Sequence, residues 1–378
     1  MAILKEYSEQ RQSSIAGNLF RTANRIHASV DTVVVLSLGN SALGAKAIAQ
    51  ACCQPFWNHL SRAERGSKPR MFFIDDRCDT DTIQSLLHLL GCHRPTTSNF
   101  ELDDWALLVL AADDSEKCWQ LQALLSALYQ HVANDKSEMR QRLMAVAPLS
   151  GSIAKQLSVY GDYDFFASCD EPAPFQCFGP LGLLPATLLG INIMELLAGA
   201  SWMSQHFHEA SPNENLVLRL LHALVPSNES TTQPTPLRIW NPGLSAWQDW
   251  YRDVRQMSDQ ITTASGSSEF PKNASSGSGA IGEINIIVDR SRFDPIGLGD
   301  DSHSQDRSLA NIENHLRANC DLGTATATLR LAELDELHTG QLMQFMLLLS
   351  ASSKLMGLSP PETVDVRSYA HDGLGNFA

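Results

Sequence analysis

The residues best suited to chemistry form a short run, Gly39-Asn40-Ser41, which follows a β-branched segment and precedes a helical pattern. Backbone N–H groups at the amino end of a helix, together with a hydroxyl group, favour a bound anion such as phosphate. Serine also caps helices readily, so two interpretations of Ser41 stay open, a helix cap and an anion site. The run is a much weaker motif than a P-loop.

The charge and the apolar pattern of the chain argue against several classes of function. The net charge of −14 disfavours nucleic-acid binding, because a phosphate backbone requires clustered Lys and Arg. No apolar stretch reaches the roughly 18 residues of a membrane span, and residues 1–25 do not resemble a secretion signal. The 8 cysteines lack a Cys-x-x-Cys pair, which indicates reduced thiols in a cytoplasmic protein. We therefore expect no nucleic-acid or membrane partner, no metal and no cofactor.

Alternating strand and helix patterns must position the run. After a helical pattern over residues 1–30, five segments separated by helical patterns favour strands: 32–36, 71–74, 106–110, 142–147 and 164–167. This alternation predicts an α/β fold, in which an open parallel sheet carries helices on both faces. Ligands of such sheets bind beyond the carboxyl ends of the strands, which is where Gly39-Asn40-Ser41 is placed.

The pattern restarts after an apolar segment, 178–200, which predicts a helix buried on most sides. Further strands are predicted at 237–240, 284–288 and 326–331, with helices at 215–224, 244–257, 308–318 and 339–356 and a Ser- and Gly-rich loop at 258–280. We predict two doubly wound α/β domains, residues 1–205 and 206–358, followed by an irregular tail at 359–378.

The sequence GLLPATLLGINIMELLAGA at 182–200 resembles the matching segment of bacterial glucose-6-phosphate isomerases, with their Gly-Leu-Leu-Pro start and closing Leu-Leu-x-Gly-Ala. The resemblance covers nearly the whole chain from about residue 15, and the first portion of a full-length family member is expected to be absent. It implies two sugar-isomerase (SIS-like) domains, each a three-layer α/β/α sandwich. It also implies a phosphorylated sugar bound in the cleft between them, in a cytoplasmic homodimer.

The same resemblance assigns two phosphate loops. The family has Gly-Gly-Ser where this chain has Gly39, Asn40 and Ser41, and Asn tolerates a left-handed turn, so we expect the loop to survive with Ser41 as a phosphate contact. The second family loop, Ser-Lys-[Ser/Thr]-x-x-Thr-x-Glu-Thr, corresponds here to Ala-Ala-Asp-Asp-Ser-Glu-Lys. Ser115 and Lys117 remain there as anion contacts, but the added carboxylates weaken the affinity for a dianion.

The catalytic positions implied by the resemblance are mostly replaced. Pro174 stands where the family has the arginine of Gly-Gly-Arg-[Phe/Tyr]-Ser. Met257 stands where the family has its catalytic base, the first Glu of Glu-Ser-x-Gly-Lys. A thioether cannot accept the proton that aldose–ketose isomerisation removes. Ala370 takes the place of the lysine near the carboxyl end of family members, with Arg367 as a displaced cation.

Three other residues are weaker candidates. His303, in Asp-Ser-His-Ser-Gln, resembles the family histidine that acts in ring opening. The order of this motif relative to strand 284–288 differs from the family, which favours an ordinary exposed loop histidine. Asp253 and Asp259 lie near Met257 and are candidates for a substitute base, but the favoured interpretation of both is an exposed charge at a helix end.

These replacements leave three hypotheses. We favour a glucose-6-phosphate isomerase-like protein that binds a sugar phosphate with its isomerase activity reduced or lost. The first alternative is an active, divergent isomerase that interconverts glucose 6-phosphate and fructose 6-phosphate with rearranged acid and base groups. The second is a non-catalytic regulatory or partner subunit.

Overall fold

The computed structural model of the chain describes residues 2–92, 104–113, 118–225, 234–264, 281–294, 304–322 and 325–364. The chain divides into two compact units, Met1–Met194 and Glu195–Ala378. Each unit contains one parallel sheet flanked by helices in a three-layer α/β arrangement, so the predicted fold class is confirmed. The domain bounds 1–205, 206–358 and 359–378 stay predictions.

The first unit alternates strands and helices along most of its length. Its described elements are α1 (Ala2–Gln10), α2 (Ile15–Ser29), β1 (Thr32–Leu38), α3 (Leu43–Cys52), β2 (Arg70–Asp75), α4 (Thr80–Leu89), β3 (Trp105–Ala111), α5 (Trp119–His131), α6 (Lys136–Arg142), β4 (Leu143–Ala147), α7 (Ser152–Ser158), β5 (Asp164–Ala167) and α8 (Pro180–Leu188). A 3-10 helix, Ala173–Phe178, precedes α8.

The first sheet has the strand order β2-β1-β3-β4-β5, with all four pairs parallel. Every residue of β1 and β3 is buried, as expected for central strands that are covered by helices on both faces. The strand order reverses between β1 and β3, because β2 lies on one side of β1 and β3 on the other. This reversal is the topological switch point of the sheet, where ligands of doubly wound folds bind.

The second unit repeats the principle with a smaller sheet. Its described elements are α9 (Ile193–Glu209), α10 (Leu216–Leu224), β6 (Pro236–Ile239), α11 (Ser245–Ala264), β7 (Glu283–Val288), α12 (Ser304–Asp321), β8 (Thr326–Leu331), α13 (Glu336–Leu355) and β9 (Glu362–Val364). The strand order is β8-β7-β6-β9, again with parallel pairing throughout. None of the helices in the described residues is both long and apolar enough to cross a membrane.

Two glycines let α9 and α13 cross with their backbones in contact. A Cβ atom on Gly199 would lie 2.0 Å from the carbonyl oxygen of Leu337, and a Cβ atom on Gly340 would lie 2.0 Å from that of Leu196. Each glycine thus makes room for the backbone of the partner helix. This crossing explains why the apolar segment 182–200 ends on Leu-Leu-Ala-Gly-Ala.

Several local predictions are wrong. The helical pattern at 1–30 forms α1 and α2, separated by a 3-10 turn at Arg11–Ser13 and by Ser14, which caps α2. The segment 178–200 is not one helix, because Gly190 adopts the left-handed conformation (φ 80°) and separates α8 from α9. Part of the predicted loop at 258–280 continues α11 to Ala264, and α6 was not predicted. The predicted irregular tail contributes β9, which pairs with β6.

Candidate functional site

The candidate site lies at the carboxyl end of the first sheet, beside the switch point. The loop after β1 contains Gly39, Asn40 and Ser41, and the loop after β3 begins with Ala112 and Asp113. β1 and β3 are direct neighbours in register, so that Leu38 pairs with Ala111 and the two loops start side by side. The predicted run is therefore at the place where a doubly wound sheet binds its ligand.

The conformation of the first loop depends on its glycine. Gly39 is left-handed with φ 56°, whereas Asn40 is not among the residues with positive φ. The turn that the asparagine was expected to tolerate is thus made by Gly39 itself. The helix-cap interpretation of Ser41 is wrong, because the N-cap of α3 is Ala42, whose N–H donates to the Ser37 hydroxyl at 3.0 Å.

The Ser41 hydroxyl joins the loops of neighbouring strands. It donates a hydrogen bond to the Leu38 carbonyl oxygen at 2.7 Å and accepts one from the Ala112 N–H at 2.9 Å. On the far side, the Ser168 hydroxyl donates to the Ala112 carbonyl at 3.3 Å, and the Ser168 N–H donates to the Ala147 carbonyl at 2.9 Å. These bonds link the ends of β1, β3, β4 and β5, so the loops form one fixed edge.

The electrostatic character of this edge is acidic. The Gly39 N–H donates to Asp76 Oδ2 at 3.1 Å, which places a carboxylate against the candidate phosphate loop. Asp75 accepts from the Arg77 N–H at 2.9 Å and from its guanidinium at 3.2 Å. Burial opposes ionisation of Asp75, but these bonds and the Arg77 charge outweigh it and lower the pKa of the carboxyl group. Asp113 at the end of β3 is exposed.

Asp75 and Asp76 directly follow the predicted strand 71–74, but the sequence does not show that they reach the loop after β1. The missing information was the strand order, since β2 pairs directly with β1 and Ser37 lies opposite Asp75. Ser168, which ties β5 to the same edge, was also missed. An acidic residue directly after a strand next to a candidate loop is the signal that would have found Asp76.

The predicted catalytic positions differ in how they are placed. Pro174 is buried within the 3-10 helix that packs against α3, and Met257 is half-buried on α11. Asp253 is only 4% exposed, so its interpretation as an exposed charge at a helix end is wrong. The side chain of Asp259 lies outside the described residues, as do Ser115, Lys117, His303, Arg367 and Ala370 entirely.

One group in the described residues has the ligand types of a metal site: Glu333, Asp335 and His338, whose ligand atoms lie within 4.8 Å of one another. Asp335 is the N-cap of α13, and its carboxylate accepts from both the N–H and the Nδ1 of His338 at 2.7 Å. The positive end of a helix dipole disfavours a cation. A helix cap accounts for the contact between Asp335 and His338.

No protein-family model matches the chain. Among curated proteins, it is 29% identical to the glucose-6-phosphate isomerase of Carboxydothermus hydrogenoformans over 62% of this chain and 48% of that protein. It is 23% identical to the glucose-6-phosphate isomerase of Bacillus cytotoxicus over 92% of this chain and 80% of that protein. In the first match the chain spans about half the length of its relative.

Solved structures agree at the level of the fold. The glucose-6-phosphate isomerase of Chlamydia trachomatis superposes with a TM-score of 0.65 and 16% identity, over 98% of this chain and 72% of that one. A hypothetical protein of Thermus thermophilus superposes with a TM-score of 0.69 and 18% identity, over 97% and 87% of the two chains. The resemblance predicted from the sequence is therefore confirmed, and the chain is a divergent relative of the glucose-6-phosphate isomerases.

Proposed function

We propose that this divergent relative of the glucose-6-phosphate isomerases binds a phosphorylated sugar at the loop of Gly39, Asn40 and Ser41 and isomerises it slowly or not at all. The proposal rests on one combination of features: the chain has a loop that resembles the phosphate loop of the family but a methionine where the family has its catalytic base. The loop has a left-handed glycine and a serine held by hydrogen bonds, whereas the resemblance aligns Met257 with the base of the family.

The geometry of the loop supports anion binding. The loop leads directly into α3, a helix of 10 residues whose amino end carries a partial positive charge. The Ser41 hydroxyl is held by two hydrogen bonds, so the loop needs little reordering when a ligand binds. These features favour a phosphate group over the uncharged part of a sugar.

The loss of turnover follows from the side chains at the two catalytic positions. Removing one general base commonly costs roughly 10²–10⁴ in rate, and methionine offers no lone pair basic enough to replace it. At the arginine position Pro174 is buried in a 3-10 helix and supplies no positive charge to a developing anion. Both replacements act on the same reaction, so their effects accumulate.

Ligand binding tests the proposal directly. Glucose 6-phosphate should raise the melting temperature of the full chain in a concentration-dependent way, whereas glucose should not. Asn40→Asp adds a carboxylate of equal size to the loop and should weaken binding by about tenfold through like-charge repulsion. Asn213→Asp, at an exposed position between α9 and α10, makes the same charge change as a control.

If glucose 6-phosphate raises the melting temperature of the wild-type chain and of both variants by the same amount, the binding site lies elsewhere. If neither sugar stabilises the wild-type chain, the hypothesis of a partner subunit would replace the present one.

We also propose a homodimer, as the resemblance implies. Light scattering would then give a mass about twice the 41.5 kDa of one chain.

The burial of Asp253 favours a second candidate function, an active isomerase with a displaced base. Asp253 lies one helical turn before Met257 on α11, on the same face of the helix. A buried carboxylate at this place has the chemistry that the methionine lacks. In this case fructose 6-phosphate would be converted to glucose 6-phosphate, and Asp253→Asn would abolish the conversion while Asp249→Asn, at an exposed position on the same helix, would not.

A further inference from the structure

We propose that Asp76 acts as a built-in anion of the candidate phosphate loop, where it competes with the phosphate group of a ligand and sets the affinity of the loop. This inference rests on the proposed function, because it concerns the same loop. It is carried by one contact: Asp76 Oδ2 accepts the hydrogen bond of the Gly39 N–H at 3.1 Å. That N–H belongs to the left-handed residue of the loop.

The carboxylate is held in place by its own backbone. The Asp76 N–H donates to the Ser37 carbonyl oxygen at 3.1 Å, and the Asp76 carbonyl accepts from Gln120 Nε2 at 2.7 Å. Gln120 is only 3% exposed and also donates to the Cys78 carbonyl at 3.0 Å. The backbone of Asp76 is therefore fixed between β1 and α5, and this position holds its side chain against the loop.

The neighbouring cation is committed to another carboxylate. Arg77 binds Asp75 through both its backbone N–H and its guanidinium. Within the described parts of the chain, Asp76 forms no ion pair. Its negative charge therefore faces the loop without an ion-pair partner among the residues that the structure describes.

A phosphate oxygen and the Asp76 carboxylate need the same donor. A ligand that binds through the Gly39 N–H must displace the carboxylate or accept a like charge at hydrogen-bonding distance. A phosphate dianion is opposed more strongly than a monoanion, and a neutral sugar is not opposed by charge. Asp76 thus favours weakly charged ligands, and removal of its charge should favour phosphorylated ones.

The alternative is that Asp76 merely stabilises the turn, and Asp76→Asn separates the two roles. The amide oxygen of asparagine can still accept from the Gly39 N–H, so the turn is kept while the charge is lost. Asp81→Asn is the matched control, since Asp81 is an exposed carboxylate in the first turn of α4 and its replacement changes the net charge equally.

Calorimetric titration of the full chain with glucose 6-phosphate, inorganic phosphate and glucose tests the inference. We expect Asp76→Asn to lower the Kd of glucose 6-phosphate by about tenfold or more, and Asp81→Asn to change it less than twofold. Glucose should show no measurable binding to the wild-type chain or to either variant. If Asp76→Asn does not fold, Asp76→Ser, which also keeps an oxygen acceptor, takes its place.

The outcomes separate this inference from the proposed function. Equal Kd values for glucose 6-phosphate in the wild-type chain and in Asp76→Asn overturn the role of Asp76 but leave sugar-phosphate binding intact. Binding by the variant alone supports the role of Asp76 and shows that the wild-type loop is blocked. Absence of binding in both overturns the inference together with the proposed function.

Discussion

The two ends of the first sheet use charge in opposite ways. At the amino end, one carboxylate gathers basic side chains: Asp31 Oδ1 lies 2.9 Å from Arg62 and 3.0 Å from Arg65, and Arg70 lies 3.7 Å from Oδ2. At the carboxyl end, where the candidate loop lies, Asp75 ends β2 and Asp76 follows it, and Asp76 accepts from the Gly39 N–H of the loop. Arg77, a cation at this end, is exposed and pairs with Asp75.

The burial of Arg65 shows what the basic end does. Its side chain is 0% exposed, and its guanidinium donates to the carbonyl oxygens of Leu60 and Lys68 as well as to Asp31. A buried guanidinium with three acceptors holds a loop in place and is not accessible to a ligand. Charge therefore stabilises the fold at one end, and we propose that it sets the ligand preference at the other.

The largest expected effect comes from removing the shared carboxylate of the basic end. Asp31→Ala leaves the buried guanidinium of Arg65 without its counter-ion, and should lower the free energy of unfolding by about 3 kcal/mol or more. Urea denaturation measures this. Asp162→Ala breaks the exposed pair with Arg140 and should cost less than about 0.5 kcal/mol. Similar losses in both variants would remove the distinction between the ends.

Breaking the hydrogen bonds of the other end should cost less. Ser41→Ala leaves the buried N–H of Ala112 without its acceptor, and should lower the free energy of unfolding by about 2 kcal/mol. Ser158→Ala removes an exposed serine hydroxyl that bonds locally to the Lys155 carbonyl, and serves as the control in the same denaturation series. A loss no greater than that of the control would mean that Ser41 does not hold the strand ends together.

A matched pair of glycines separates stability from ligand binding. Gly39 (φ 56°) and Gly357 (φ 69°) are both left-handed, and a Cβ atom on either would meet nothing within 4 Å. Each Gly→Ala variant should therefore lose about 1 kcal/mol of stability through backbone strain alone. Only Gly39→Ala should also weaken the binding of glucose 6-phosphate. Weaker binding in both variants would point to a general loss of stability.

The smallest effect is a pH dependence at the basic end. His27 Nε2–H donates to the Leu188 carbonyl at 2.8 Å, and Lys68 Nζ donates to His27 Nδ1 at 3.2 Å. Burial lowers the pKa of His27 below its usual 6.5, and the charges of Lys68 and Arg62 lower it further, against the Leu188 bond. The unfolded chain then binds the proton first as the pH falls, so stability decreases below about pH 6.5.

His27→Gln keeps a donor and an acceptor at this place but does not titrate. The variant should lose less stability than the wild-type chain between pH 7 and pH 5, as measured by urea denaturation at each pH. The same pH dependence in both proteins would show that His27 is not responsible.

Much of the fold could be predicted because its signals are local. β5 and β8 have the predicted bounds, and the strands predicted at 32–36 and 106–110 lie within β1 and β3. The position of the loop after β1 followed from the same pattern. By contrast, β9 is too short to be predicted from its own residues. It is defined by its pairing with β6, which lies more than 100 residues earlier in the chain.

The helix break at Gly190 and the contact of Asp76 with Gly39 were not predicted from the sequence, for two different reasons. A glycine commonly marks the carboxyl end of a helix, but the segments before and after Gly190 are both apolar, a pattern that predicts one continuous helix. The contact between Asp76 and Gly39 depends on the order of strands in the sheet, which the sequence of either loop does not contain. The burial of Asp253 is likewise a tertiary property, since the helix around it is mostly polar.

We propose that the loop at the switch point binds a sugar phosphate while the isomerase activity is reduced or lost. Calorimetric titration of the full chain with glucose 6-phosphate, followed by analysis of the recovered sugar, tests both parts in one sample. We predict saturable binding and recovery of the sugar mainly as glucose 6-phosphate. An equilibrium mixture of glucose 6-phosphate and fructose 6-phosphate in the recovered sugar, or the absence of binding, would contradict this proposal.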